Sequence, residues 1–148
     1  MIISQLITSF LASAGFGILF NAPKRALIQC GVIGMFGWIL YYILVQEGMN
    51  PVPATIFGSM LVSILSFINA KMFKMPVITY NVSGIIPLVP GGVAYNAMRS
   101  FVENDYSTAI QLSAHVMLLA GAIAIGLMIS EVFHQISLKL GRLRKNHL

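Results

Sequence analysis

At 148 residues, 57% of them hydrophobic and only 9% charged, with a mean hydropathy of +0.86, the chain lacks the polar surface that a water-soluble domain of this length needs, and the lipid bilayer is its expected solvent. The formal charge of +5 rests on nine Lys and Arg scattered between apolar runs, which fits membrane orientation and excludes nucleic acid as a partner. The lone Cys30 excludes an internal disulfide and a cysteine-based metal cluster, and no metal or other cofactor is expected.

A spanning helix takes roughly 20 mostly apolar residues, so the length takes about five spans with short loops and no sizeable aqueous domain. The first run, residues 2–20, has no basic segment before it and reads as a span rather than a cleaved signal peptide. It ends at Asn21, Ala22, Pro23, Lys24 and Arg25. The second run, 26–45, closes at Gln46, Glu47, Gly48, Met49 and Asn50, residues suited to a turn. Pro51 and Pro53 open the third, 51–70, where a missing backbone donor costs nothing in a first helical turn. Lys71 and Lys74 end it.

The fourth stretch, 76–98, is long enough to cross, but Pro87, Pro90, Gly91 and Gly92 interrupt its centre, so it is predicted as a discontinuous helix. The fifth span is predicted over 109–131, followed by a basic tail, 132–148, containing Lys139, Arg142, Arg144 and Lys145. The expected fold is thus an all-α integral membrane protein, a single transmembrane domain of five helices with the fourth broken near its centre by PLVPGG. No internal repeat is visible.

Positive residues close to span ends favour the cytoplasmic side. With five spans, eight of the nine bases fall on one side, opposite Glu47 and the loop where Arg99 is balanced by Glu103 and Asp105. The N-terminus is then outside and the C-terminus in the cytoplasm of a cell-membrane protein. A re-entrant fourth segment would put the tail opposite Lys24, Arg25, Lys71 and Lys74, which the charge rule disfavours.

The break at Pro87 to Gly92 falls near the bilayer midplane, where irregular backbone is tolerated only if protein or a watery cavity covers it. Transporters set solute sites where half-helices meet, with one amino end facing an anionic group. The amides after Gly91 are candidate donors to a small carboxylate solute. The competing reading is a kink in a packed helix.

Tyr80, Asn81 and Ser83 before the break, and Tyr95 and Asn96 after it, are candidate solute contacts or, equally, hydrogen-bonding groups between helices. His115 lies within the fifth span and, with a reference pKa of about 6.5, is a candidate proton relay; a neutral histidine bonded to a neighbouring helix is the alternative. Glu131 and His134 share a helical face and read as an interfacial pair. Small residues at four-residue spacing (Ser9, Ser13 and Gly17; Ser59 and Ser63; Ala122, Gly126 and Ser130), with Gly31, Gly34 and Gly37 in the second span, predict close helix approach.

Pro76, the run Pro87-Leu88-Val89-Pro90-Gly91-Gly92 and Tyr95, in a five-span layout, resemble the membrane half of the threonine/serine exporter family, more narrowly its small-subunit, YjjB-type branch. The resemblance covers nearly the whole chain. It implies proton-motive-force-driven export of threonine and serine, or of dicarboxylates such as succinate, beside a larger partner subunit that bears the other membrane half. Three other readings stay open. A Ser83–His115 dyad would make an intramembrane hydrolase, but no oxyanion donors accompany it, and no enzyme is expected. An assembly subunit that touches no solute would tolerate change at Gly91, Asn81 and Asn96. A homo-oligomeric channel would work alone.

Overall fold

The computed structural model describes residues 2–145, with side chains through Lys139. Six helices follow one another: α1 (Ile2–Leu19), α2 (Leu27–Gln46), α3 (Pro51–Phe73), α4 (Val77–Gly84), α5 (Gly91–Val102) and α6 (Tyr106–Lys145). No strand occurs among the described residues. Asn21, Gly48, Lys74 and Asn104, at the ends of α1, α2, α3 and α5, have φ between +52° and +89°. The amide after each reaches back across the last turn: Ala22 to the Gly17 carbonyl, Met49 to Leu44, Met75 to Ala70 and Asp105 to Ser100, at 2.8–3.1 Å. A left-handed residue followed by this bond satisfies the helix's last carbonyls and turns the chain sharply. At the opposite kind of end, the Asn50 side chain accepts from the Val52 amide at 3.1 Å and Pro51 fills the first helical position, so α3 starts where its sequence predicts.

Burial is inverted relative to a water-soluble protein. Only Ser9, Ser13 and Gly17 of α1 are buried, while Ile3, Leu11 and Leu19 face outward. Gly31, Gly34 and Gly37 of α2, Ser59 and Ser63 of α3, and Ala122, Gly126 and Ser130 of α6 are buried too. Most helix contacts run through small side chains, with Ile33, Val62, Tyr80 and Leu88 buried where α2, α3 and α4 converge, and many of the large apolar ones turn out, as expected where lipid is the solvent. A Cβ on Gly34 would overlap the Ser13 side chain, and one on Gly126 would overlap Ser59 and come within 2.6 Å of the Ile56 carbonyl. Backbones approach that closely only because those positions are glycine.

α1 and α2 form an antiparallel pair, and α3 follows against α2. α4 begins where α2 begins: the Cys30 thiol donates to the Thr79 carbonyl at 3.7 Å. α3 and α6 run parallel in a single register, because Phe67 stacks on His134 and Ser59 meets Gly126. That register sets Pro51 level with Leu118, so residues 106–117 of α6 extend about 18 Å past the start of α3 at 1.5 Å per residue. α5 packs against α6.

Four helices are long and apolar enough to cross a membrane, or five if the bent pair that includes α4 and α5 is one span. Beyond the expected fifth span, α6 continues without interruption through Lys145, so the basic tail is helical as far as it is described, and residues 146–148 lie outside the described residues. The side chains of Arg142, Arg144 and Lys145 also lie outside them.

Candidate functional site

The chain between α4 and α5 is irregular. α4 ends at Gly84, a single 3-10 turn covers Ile86–Leu88, and α5 restarts at Gly91 on an axis bent by 55°. Leu88 is buried in the notch where α2 meets α3: a Cβ on Gly58 would lie 3.2 Å from Leu88 and 3.1 Å from the Gly37 carbonyl. One on Gly84 would lie 2.8 Å from both Ile33 and Val62. The turn is therefore level with Gly34 and Gly37, halfway along α2, and is held there by glycines on three helices.

Pro87 and Pro90 have no amide hydrogen. The Leu88 amide donates to the Ile85 carbonyl at 2.9 Å, Val89 to Ile86 at 3.2 Å, and Gly91 to Val89 at 2.8 Å. The first regular helical bond of α5 runs from the Ala94 amide to the Pro90 carbonyl at 3.0 Å. The amides of Gly92 and Val93 are left as the unsatisfied donors of a helix start, at the positive end of the α5 dipole. Gly91 and Gly92 are exposed, with no other atom within 4 Å of where a Cβ would stand.

The remaining sequence candidates divide. Asn81 is half-buried on α4, and its Oδ1 is enclosed without a hydrogen-bond partner. Ser83 is fully buried on the side of α4 that meets α1 and α2, near Cys30 and Gly17, and its hydroxyl donates to the Thr79 carbonyl at 3.1 Å. Pro90 is half-buried and precedes α5; Tyr95, 69% exposed, and Asn96 look outward from α5. His115 is half-buried on the part of α6 that extends past α3. The structure thus does not draw Asn81, Ser83, Tyr95 and Asn96 into one cluster. The imagined Ser83–His115 dyad is absent, since the serine hydroxyl is committed to its own helix. The Glu131–His134 pair is corrected as well: Glu131 accepts from Gln135 at 3.4 Å, whereas the His134 ring stacks on Phe67 at 4.1 Å.

A cleft of about 200 Å³ opens on the break from the α1 side, lined by Gln5, Thr8, Ser9, Ala12, Trp38 and Pro87. Within it the Trp38 indole N–H donates to Gln5 Oε1 at 2.9 Å. Thr8 and Ser9 turn their hydroxyls back onto carbonyls of their own helix, Ser9 to Gln5 at 2.7 Å. Of the cleft residues, Gln5, Thr8, Ala12 and Trp38 were not among the sequence candidates. The available signal was the one carboxamide of the first span and the chain's single tryptophan, an acceptor and a donor where lipid offers neither.

No solved structure matches the chain. The family described as "Threonine/Serine exporter, ThrE" matches over residues 5–133, from the cleft-lining turn of α1 through the broken segment and deep into α6. The chain is therefore a multi-pass membrane protein that belongs to the threonine/serine exporter family, a family of transporters rather than of enzymes.

Proposed function

We propose that this chain is a membrane subunit of a secondary exporter of threonine, serine or related small carboxylates, succinate among them, and that it binds solute at the break between α4 and α5. The observation that carries the reading is the mid-bundle turn itself. It joins an open, dipole-bearing helix start at Gly91 and Gly92 to a polar cleft at Pro87. Free amides and a positive helix end suit a carboxylate. The unpartnered Asn81 Oδ1 offers an acceptor for an ammonium or hydroxyl group, and the outward-looking Tyr95 and Asn96 would close the site from α5.

Five spans, with the N-terminus outside and the C-terminus in the cytoplasm, belong to the same proposal. Parallel α3 and α6 require the intervening chain to travel from one end of the bundle to the other, which supports a broken crossing over a re-entrant loop. Lys24, Arg25, Lys71, Lys74 and Lys139 then share the cytoplasmic end.

A larger subunit carrying the other membrane half would cover the α5–α6 hairpin, whose Met98, Val102, Ile110 and Met117 are 63–80% exposed. An assembly of identical chains would cover the same surface, which keeps a homo-oligomeric channel as the second reading. Proton motive force is the proposed drive, with His115 as the candidate relay.

Reconstitution into liposomes, with and without the larger subunit, tests the scheme through efflux of labelled threonine and succinate. Gly91→Leu has room for its side chain, so it should express and assemble normally while transport falls at least tenfold. Normal efflux in that variant would remove the break from the solute path.

A further inference from the structure

A groove of about 330 Å³ lies between α3 and α6 and runs from Met60 toward the lysine-bearing end of the bundle. Its walls are Met60, Ile64 and Phe67 on one side and Phe133 on the other, and its polar groups are graded along its length. The parallel register sets Phe67 beside His134, so Lys71 stands at the level of Ser137, one turn nearer the bundle end, and Ser130 one turn deeper. Ser130 is 3% exposed, lines the groove, and its hydroxyl has no hydrogen-bond partner. A ligand that fits needs an anionic head at Lys71, a hydrogen-bond acceptor two turns deeper at Ser130, and a long apolar part to cover Met60 and Ile64.

The outer face decides which ligand. Ile64, Ile68 and Phe133 are 45–65% exposed within the apolar stretches of two candidate spans, the depth at which acyl chains lie. Across Phe133 runs a second groove of about 400 Å³ with wholly apolar walls, including Met128, Val132 and Ile136. A free anion would leave both grooves unfilled. A molecule with one phosphate and two chains would fill both, its chains straddling Phe133.

We propose that this surface is a binding site for an anionic diacyl phospholipid, with the phosphate held by the Lys71 ammonium, a glycerol-ester carbonyl deeper in the groove accepting from the Ser130 hydroxyl, and the acyl chains in the paired grooves. Basic recesses between helices near a membrane interface take such head groups, and each lysine adds about 1 kcal/mol at an anionic surface, roughly fivefold in affinity. His134, stacked on Phe67, forms the floor between the Lys71 and Ser130 levels, under the glycerol.

The test uses the full chain in mild detergent, with lipid retention read by native mass spectrometry and stabilisation by thermal unfolding. The probes are phosphatidylglycerol, phosphatidylcholine with the same chains, and glycerol phosphate. Phosphatidylglycerol should be retained and should raise the unfolding temperature, whereas the other two should do neither. Lys71→Gln, at an exposed position that leaves folding intact, should weaken retention roughly fivefold. Ser130→Leu should abolish it by filling the groove, and Ser130→Ala, which adds no volume, should weaken it in a chain that is surely folded. Lys24→Gln, at the same end but outside the groove, should change nothing. Equal retention of phosphatidylcholine, full competition by glycerol phosphate, no effect of Lys71→Gln, or an equal effect of Lys24→Gln would each overturn the site.

Discussion

Trp38 donates its indole N–H to Gln5 Oε1 at 2.9 Å, a polar tie between α1 and α2 inside the cleft that reaches Pro87. Interhelical hydrogen bonds in bilayers average about 0.6 kcal/mol, so losing this one should cost little stability. Its value as a reporter is greater. Trp38 is the sole tryptophan, and its emission senses both the Gln5 carboxamide and any solute that enters beside it. Threonine or succinate should shift or quench that emission in the native chain. Gln5→Leu should remove the response and slow transport while moving the unfolding temperature by only a few degrees. An emission spectrum indifferent to both solutes would disconnect the cleft from the solute path.

The glycines separate into two groups with opposite expectations. Gly126 faces Ser59 and the Ile56 carbonyl, and Gly34 faces Ser13, whereas Gly91 and Gly121 have open space around them. Gly126→Ala and Gly34→Ala should each destabilise the bundle by about 1–3 kcal/mol through overpacking. Gly121→Ala should be neutral. Thermal unfolding of the purified variants, followed by size-exclusion chromatography, reads the contrast, and equal stability of Gly126→Ala and Gly121→Ala would contradict the close approach of α3 and α6.

The small-residue stripes were legible because lipid removes the usual incentive to bury large side chains, so Ser13, Gly34 and Gly126 mark the interfaces by their size alone. The interruption at Pro87 and Pro90 was legible for a covalent reason, the loss of two backbone donors within four residues. The Gln5–Trp38 contact was not. It depends on how far α1 slides along α2, which no periodicity in either helix encodes. Nor was the length of α6: hydropathy bounds the expected span near Glu131 but not the helix, because a helix stops at a capping geometry, and Lys139 is as good a helix former as the apolar residues before it. The outward aim of Tyr95 and Asn96 follows from the 55° bend, a quantity set by how α5 finds α6.

Asp105 closes the turn between α5 and α6. Its Oδ1 accepts the Thr108 amide at 3.2 Å, and the Thr108 side chain and amide together hold its carboxyl below the usual carboxylate range. A carboxylate whose folded pKa is depressed stabilises the folded state above its ordinary pKa and loses that contribution as pH falls through the lower folded value. Hydrogen exchange at Ser107 to Ile110 should therefore be slow at pH 7 and should speed up in acid beyond the intrinsic chemical trend. Asp105→Ala should show fast exchange at both values. Asp105→Asn keeps an acceptor oxygen for the cap without the titration, so its protection should not vary with pH. Identical pH dependence in the native chain and Asp105→Asn would rule out the aspartate as the source.

The direction of the broken segment can be read from which side of the membrane its far end reaches. In a Cys30→Ala background, which removes the chain's single native thiol, single cysteines at Lys24, Glu47, Met72 and Val102 all occupy exposed positions. Lys24 and Met72 belong to the lysine-bearing end. Glu47 lies at the opposite end, and Val102, 80% exposed, closes α5 just before the turn into α6. A membrane-impermeant maleimide applied to intact cells should label the Glu47 and Val102 variants and reach the other two only after permeabilisation. Labelling of Val102 together with Lys24 and Met72 would mean that the chain returns to the side it entered. Because α6 runs parallel to α3, that outcome would also require the Phe67–His134 and Ser59–Gly126 contacts to be wrong, so one labelling pattern tests both the crossing and the helix register.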